Sequence, residues 1–124
     1  ALRQQGSTMK PLAAYAPAID TGKLMPGSII IDEPVTYGGW SPKNWDGQFI
    51  GPTTPRQGIW HSMNVLAVKT FTMVGAETAY DYLLKFGFTT IQTGFFITVF
   101  FIAGGASMLF SGTFEKKLKL FSLF

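Results

Sequence analysis

A hydroxyl and an amine three residues apart, Ser7 and Lys10, stand at the head of an apolar helical pattern. That placement limits what the chain can fold into and do. If Ser7 opens a helix, Lys10 follows one turn later on the same face. Burial of the lysine there lowers its pKa and lets it accept a proton from serine. The serine oxygen then lies at the positive end of the helix, where developing negative charge is favoured. Taken alone, a Ser-x-x-Lys spacing also describes a capping serine and a solvated lysine. The rest of the chain has to decide between the two.

Behind this pair, Met9, Leu12, Ala13, Ala16 and Ile19 recur at helical spacing, which predicts a helix over 8–21 with its apolar stripe in the core. Pro11 suits the first turn, Pro17 should kink or split the helix, and Gly22 suits its C-terminal cap. Ser28-Ile29-Ile30-Ile31-Asp32 is short and β-branched, so it reads as a short strand. Residues 38–47 are a loop by composition, and burial is expected for both of its tryptophans, Trp40 and Trp45. A substrate groove lined by these rings is the other use for them. Thr54 followed by Pro55 starts a short helix that runs to His61. Helices are expected again over 65–74, stopped by Gly75, and over 76–86, stopped by Gly87. Ala79, Tyr80, Leu83 and Leu84 form the inner face of the last one.

Composition excludes several classes. With 47% hydrophobic and 14% charged residues, the chain is too apolar for disorder. The net charge of +3 is unevenly spread: residues 1–93 are close to neutral, and Lys116, Lys117 and Lys119 against Glu115 supply most of it; basic residues do not interleave with aromatics, which excludes nucleic acid as a partner. There is no cysteine, and His61 is the one histidine, so neither a disulfide scaffold nor a Cys- or His-rich metal site is expected. From Gly94 to Phe110 there is no charge at all, a run at the short limit for a membrane span.

Taken together, residues 3–91 resemble the transpeptidase domain of class A penicillin-binding proteins. The resemblance is carried by Gly6-Ser7-Thr8-Met9-Lys10-Pro11, Pro26-Gly27-Ser28 and the loop Tyr37-Gly38-Gly39-Trp40-Ser41-Pro42-Lys43-Asn44-Trp45-Asp46-Gly47. Gly51-Pro52, Ser62-Met63-Asn64-Val65, Tyr80-Asp81-Tyr82-Leu83 and Phe86-Gly87-Phe88 add to it. It implies an α/β-type serine transpeptidase fold of the β-lactamase and penicillin-binding-protein kind, present here as a mostly α fragment with few strands. It also implies catalytic roles for Ser7 as nucleophile, Lys10 as base and Ser62 as proton relay. Asn64 and Trp40 would contact substrate. The substrates would be peptidoglycan stem peptides, β-lactams would acylate the same serine, and neither a metal nor an organic cofactor is required. The place of action would be the bacterial cell envelope, on the outer face of the cytoplasmic membrane. Membrane attachment would come through an N-terminal anchor outside this sequence or through residues 94–110. Read without the resemblance, Ser62 and Asn64 are helix caps, His61 is a surface or packing histidine, and Lys43 and Asp46 are solvated or locally paired.

The third family motif, Lys-Thr-Gly, does not occur in the sequence; Lys69-Thr70 is followed by Phe71 inside an expected helix. The expectation is therefore a partial transpeptidase domain over residues 1–92, cut from a longer protein. Residues 93–124 would be an apolar tail, either a shifted-frame translation or membrane-like. Such a fragment would lack full activity alone. The alternative is a non-catalytic penicillin-binding or sensor-like protein at the membrane.

Overall fold

A computed structural model describes residues 6–94. The expected first helix is a continuous run of three helical types: a 3-10 turn at Gly6–Met9, a π turn at Pro11–Tyr15, and α1 at Ala16–Asp20. Pro17 does not break it. The Ala16 N–H donates to the Pro11 carbonyl, the i−5 bond of a π turn, so Pro17 falls just where the hydrogen-bond register changes. Along the stripe, Met9 and Ala13 are buried and Leu12 packs on the core, but Ile19 is exposed, because the π turn shifts the helical phase.

The expected strand is β1, Ile30–Asp32. It pairs antiparallel with β2, Gly51–Thr53, in the register Ile30 to Thr53, Ile31 to Pro52 and Asp32 to Gly51. Sequence alone does not mark β2, since a strand of Gly-Pro-Thr carries no β-branched alternation; Pro52 is tolerated because the sheet has only these two strands among the described residues. Between them, Gly38 (φ 51°) and Gly39 (φ 85°) make a two-residue turn closed by paired bonds between Tyr37 and Trp40.

Helices α2 (Pro55–Trp60), α3 (Asn64–Val74) and α4 (Ala76–Lys85) follow closely the expected pattern. Thr54 caps α2 through a reciprocal capping box with Gln57. Leu66 and Ala67 on α3, Phe71 one turn on, and Ala79 and Leu83 on α4 close over Ala14, Tyr15 and Ala18 to form the core. Burying each large side chain of that set contributes roughly 1.5–3 kcal/mol. Leu84, expected on the inner face of α4, is instead 37% exposed. The two tryptophans divide: Trp40 packs against the core, whereas Trp45 is 79% exposed, a correction to the burial expected for both. A paired Thr89–Gln92 cap opens a further helical turn at residue 90. Of the expected apolar tail, everything after Gly94 lies outside the described residues. Among the described residues, no helix is long and apolar enough to cross a membrane.

Candidate active site

Two elements bring the site together. The 3-10 turn carries Ser7, and Lys10 follows directly behind it. In such a turn side chains three apart eclipse one another, so Ser7 and Lys10 share a face. Ser7 is exposed and Lys10 is 6% exposed. The second element is the junction between α2 and α3, which lies 52 residues away in sequence and supplies Ser62 and Asn64.

That junction has an unusual backbone. The Met63 N–H bonds the Gly58 carbonyl at 2.9 Å and the Ser62 N–H bonds the Ile59 carbonyl at 3.1 Å. These are the two bonds of a Schellman helix end, with Ser62 at the left-handed position that glycine normally occupies. Its φ is +50°, and it is the one residue other than glycine with a positive φ among those described. Such a conformation costs a side-chain-bearing residue on the order of 1 kcal/mol.

All three polar atoms presented here meet the lysine. Lys10 Nζ donates to the Ser62 carbonyl at 2.9 Å, lies 3.1 Å from Ser62 Oγ, and donates to Asn64 Oδ1 at 2.6 Å. The Asn64 amide is oriented by its other end, where Nδ2 donates to the Lys43 carbonyl at 2.9 Å. Two of the three partners of Lys10 are therefore obligate acceptors, while the Ser62 hydroxyl can either give or take a proton. A neutral amine satisfies both acceptors with its N–H groups and keeps its lone pair for a hydroxyl. Burial lowers the Lys10 pKa from 10.5 to about 8, so about a tenth of the amine is neutral at pH 7 and about half at pH 8.

The capping roles open to Ser62 and Asn64 are not taken up. Met63 is the residue before α3, with no side-chain cap, and both polar side chains face Lys10 instead. His61 stacks on Trp60 at 5.3 Å, as a surface histidine would. Lys43 is exposed, and Asp46 accepts a local bond from the Gln48 N–H. Lys69 sits within α3 and bonds the Ile31 carbonyl and Glu33. Trp40 lies against the core, and the tryptophan lining the open cleft of about 140 Å³ beside the junction is Trp45. Among the described residues no cluster of three or more His, Cys, Asp or Glu could hold a metal.

The family described as the penicillin binding protein transpeptidase domain matches residues 3–97, more than half of the chain. The chain belongs to this family. It is 38% identical over 109 residues to penicillin-binding protein 1F of Bacillus subtilis, covering 88% of this chain and 15% of that protein. It is 39% identical over 94 residues to penicillin-binding protein 1A of Escherichia coli, covering 71% of this chain and 11% of that protein. The crystal structure of penicillin-binding protein 1A from Haemophilus influenzae superposes with a TM-score of 0.66 at 33% identity, over 73% of this chain and 14% of that one. The transpeptidase fold expected from the sequence is therefore present, as a mostly helical part of it. The chain spans only a small part of the length of these relatives.

Within this transpeptidase segment, sequence reading missed two residues of the site's support. Asp32, 1% exposed, and Asn44, 6% exposed, bond each other directly behind Asn64. The signal was faint: a lone Asp at the end of an Ile run and an Asn in a Trp-rich loop, with no shared spacing.

Proposed function

We propose that this segment carries the acylation half of a serine D,D-transpeptidase of peptidoglycan synthesis. The observation that supports it best is the convergence of Ser62 Oγ, the Ser62 carbonyl and Asn64 Oδ1 on the buried Lys10 amine, one turn after an exposed Ser7. Ser7 Oγ attacks the carbonyl joining two D-alanines of a stem peptide while its proton passes to the neutral Lys10 amine. The oxyanion takes support from backbone N–H groups, including that of Ser7. On collapse the bond to the terminal D-alanine nitrogen breaks, and Lys10 returns the proton to that leaving amine through Ser62. An amine from a second stem peptide then displaces Ser7 and forms the cross-link. Asn64 and Trp40 serve substrate binding, Asn64 through its amide. β-Lactams acylate Ser7 by the same route. No metal or organic cofactor enters these steps.

The setting is the bacterial cell envelope, on the outer face of the cytoplasmic membrane, with attachment through an anchor outside this sequence or through residues 94–110. Residues 1–92 form the transpeptidase part and residues 93–124 an apolar tail, either a shifted-frame translation or membrane-like.

A fluorescent penicillin tests this. Covalent labelling of the full chain that is lost in Ser7→Ala supports a working nucleophile. No labelling, or labelling unchanged in Ser7→Ala, overturns it.

A further inference from the structure

Asp32 ends β1 with its carboxylate almost fully buried, and among the described residues its hydrogen-bond partners are neutral groups. Asn44 Nδ2 bonds its two oxygens at 2.9 and 3.0 Å, and the Ile50 N–H bonds Oδ2 at 2.9 Å. Lys69 reaches this strand but bonds the Ile31 carbonyl and Glu33. Burying a carboxylate is costly even when neutral donors satisfy its oxygens, so the arrangement calls for a reason beyond stability. Asn44 supplies one. Its Nδ2 also donates to the Gln48 carbonyl at 2.9 Å, which fixes the amide's orientation. Its Oδ1 accepts from the Val65 N–H at 3.1 Å, the residue next to Asn64 in the first turn of α3. The preceding residue, Lys43, offers its carbonyl to Asn64 Nδ2.

We propose that Asp32 and Asn44 are a positioning pair for the transpeptidase base: together they clamp the Trp40–Gly47 loop onto the start of α3, and the Lys43 carbonyl then turns Asn64 Oδ1 toward Lys10. The proposal rests on reading Lys10 as the base. Neither residue touches the reacting atoms; both act through Asn64. The charged and titratable groups around the pair are Asp46 and His61, which line the cleft with it, and Glu33 and Lys69 alongside β1. Lys10 itself faces Ser62 and Asn64.

The test reads Lys10 directly. In the full chain labelled with 13C at lysine Cε, the Lys10 resonance is assigned by its loss in Lys10→Arg and followed against pH. The wild-type midpoint is expected near 8. Asn44→Asp keeps the acceptor for Val65 but sets two carboxylates face to face, so the clamp opens and water reaches Lys10. Its midpoint then climbs toward the ordinary lysine value by about one pH unit. Adding Asp32→Asn to Asn44→Asp restores a donor and an acceptor across the pair, and brings the midpoint back to within about 0.3 of wild type. Should Asn44→Asp fail to fold, Asp32→Asn alone is the perturbed state against which the double exchange is compared. A folded Asn44→Asp whose Lys10 still titrates near 8, or a folded double exchange that does not restore the midpoint, overturns the proposal. Penicillin labelling on the same samples separates the two readings. A wild type that never labels, yet shows the Lys10 shift and its restoration, refutes the proposed function and leaves the positioning pair standing.

Discussion

Helices α1 and α2 end in the same backbone motif, but with different residues at its left-handed position. At the end of α1 the Lys23 N–H bonds the Ala18 carbonyl and the Gly22 N–H bonds the Ile19 carbonyl, with Gly22 at φ +75°. At the end of α2 the matching bonds run from Met63 to Gly58 and from Ser62 to Ile59, with Ser62 at φ +50°. Gly22 is exposed and a side chain there would meet nothing within 4 Å. Only the turn matters, so the residue that adopts it most readily is found. Ser62 carries the same conformation against its own preference, and in return aims a carbonyl and a hydroxyl at Lys10. In the proposed reaction, strain appears where a side chain is needed, and is absent where the chain merely turns.

The largest expected effect removes what Ser62 is strained to meet. Lys10→Ala should slow penicillin acylation by about 10²–10⁴-fold, measured from the rate of fluorescent labelling, with the circular dichroism spectrum retained. The same substitution should abolish a pH dependence of stability. The folded pKa of Lys10 lies below its unfolded value, so the unfolded chain binds the extra proton between about 8 and 10.5. Stability should therefore rise with pH in that window, until Tyr15, whose phenol burial pushes well above its ordinary value, begins to lower it above about 10. Urea denaturation at stepped pH reads both trends.

Next comes the residue that lets α2 reach its end. A Cβ on Gly58 would lie 2.7 Å from Tyr15 Oη and 2.8 Å from Leu66 Cδ2. Gly58→Ala should cost about 1–3 kcal/mol in urea denaturation, and would weaken the comparison if it cost nothing. The most pointed pair has the smallest energies. Ser62→Gly should raise stability by about 0.5–1 kcal/mol while slowing acylation, whereas Gly22→Ala should lower stability by about 1 kcal/mol and leave acylation unchanged. Opposite signs at two matching helix ends would sharpen the contrast; equal signs would break it.

Much of the helical frame was legible because its signals are local. Thr54 with Pro55, Gly75 and Gly87 mark helix ends by the conformations they favour, and the apolar spacing over 65–74 and 76–86 does the rest. The Ser7–Lys10 pair was legible for the same reason, a spacing of one turn. What escaped depended on distant partners. The π turn that accommodates Pro17, the pairing of Gly51–Thr53 with an Ile strand, and the exposure of Trp45 follow from packing that no window of neighbouring residues contains. Ser62 could be named as a site residue from its lettering, but its left-handed backbone could not, because serine gives no sign of it. Asp32 and Asn44 are 12 residues apart in sequence and meet only after the loop has folded down.

The dependence of Ser7 acylation on pH tests most directly whether the buried amine is the base. A lysine held by Ser62 and Asn64 predicts a rate that climbs with a midpoint near 8, loses that climb in Lys10→Ala, and vanishes in Ser7→Ala. A rate flat from about pH 6 to about pH 10, or an adduct that survives Ser7→Ala, would contradict it.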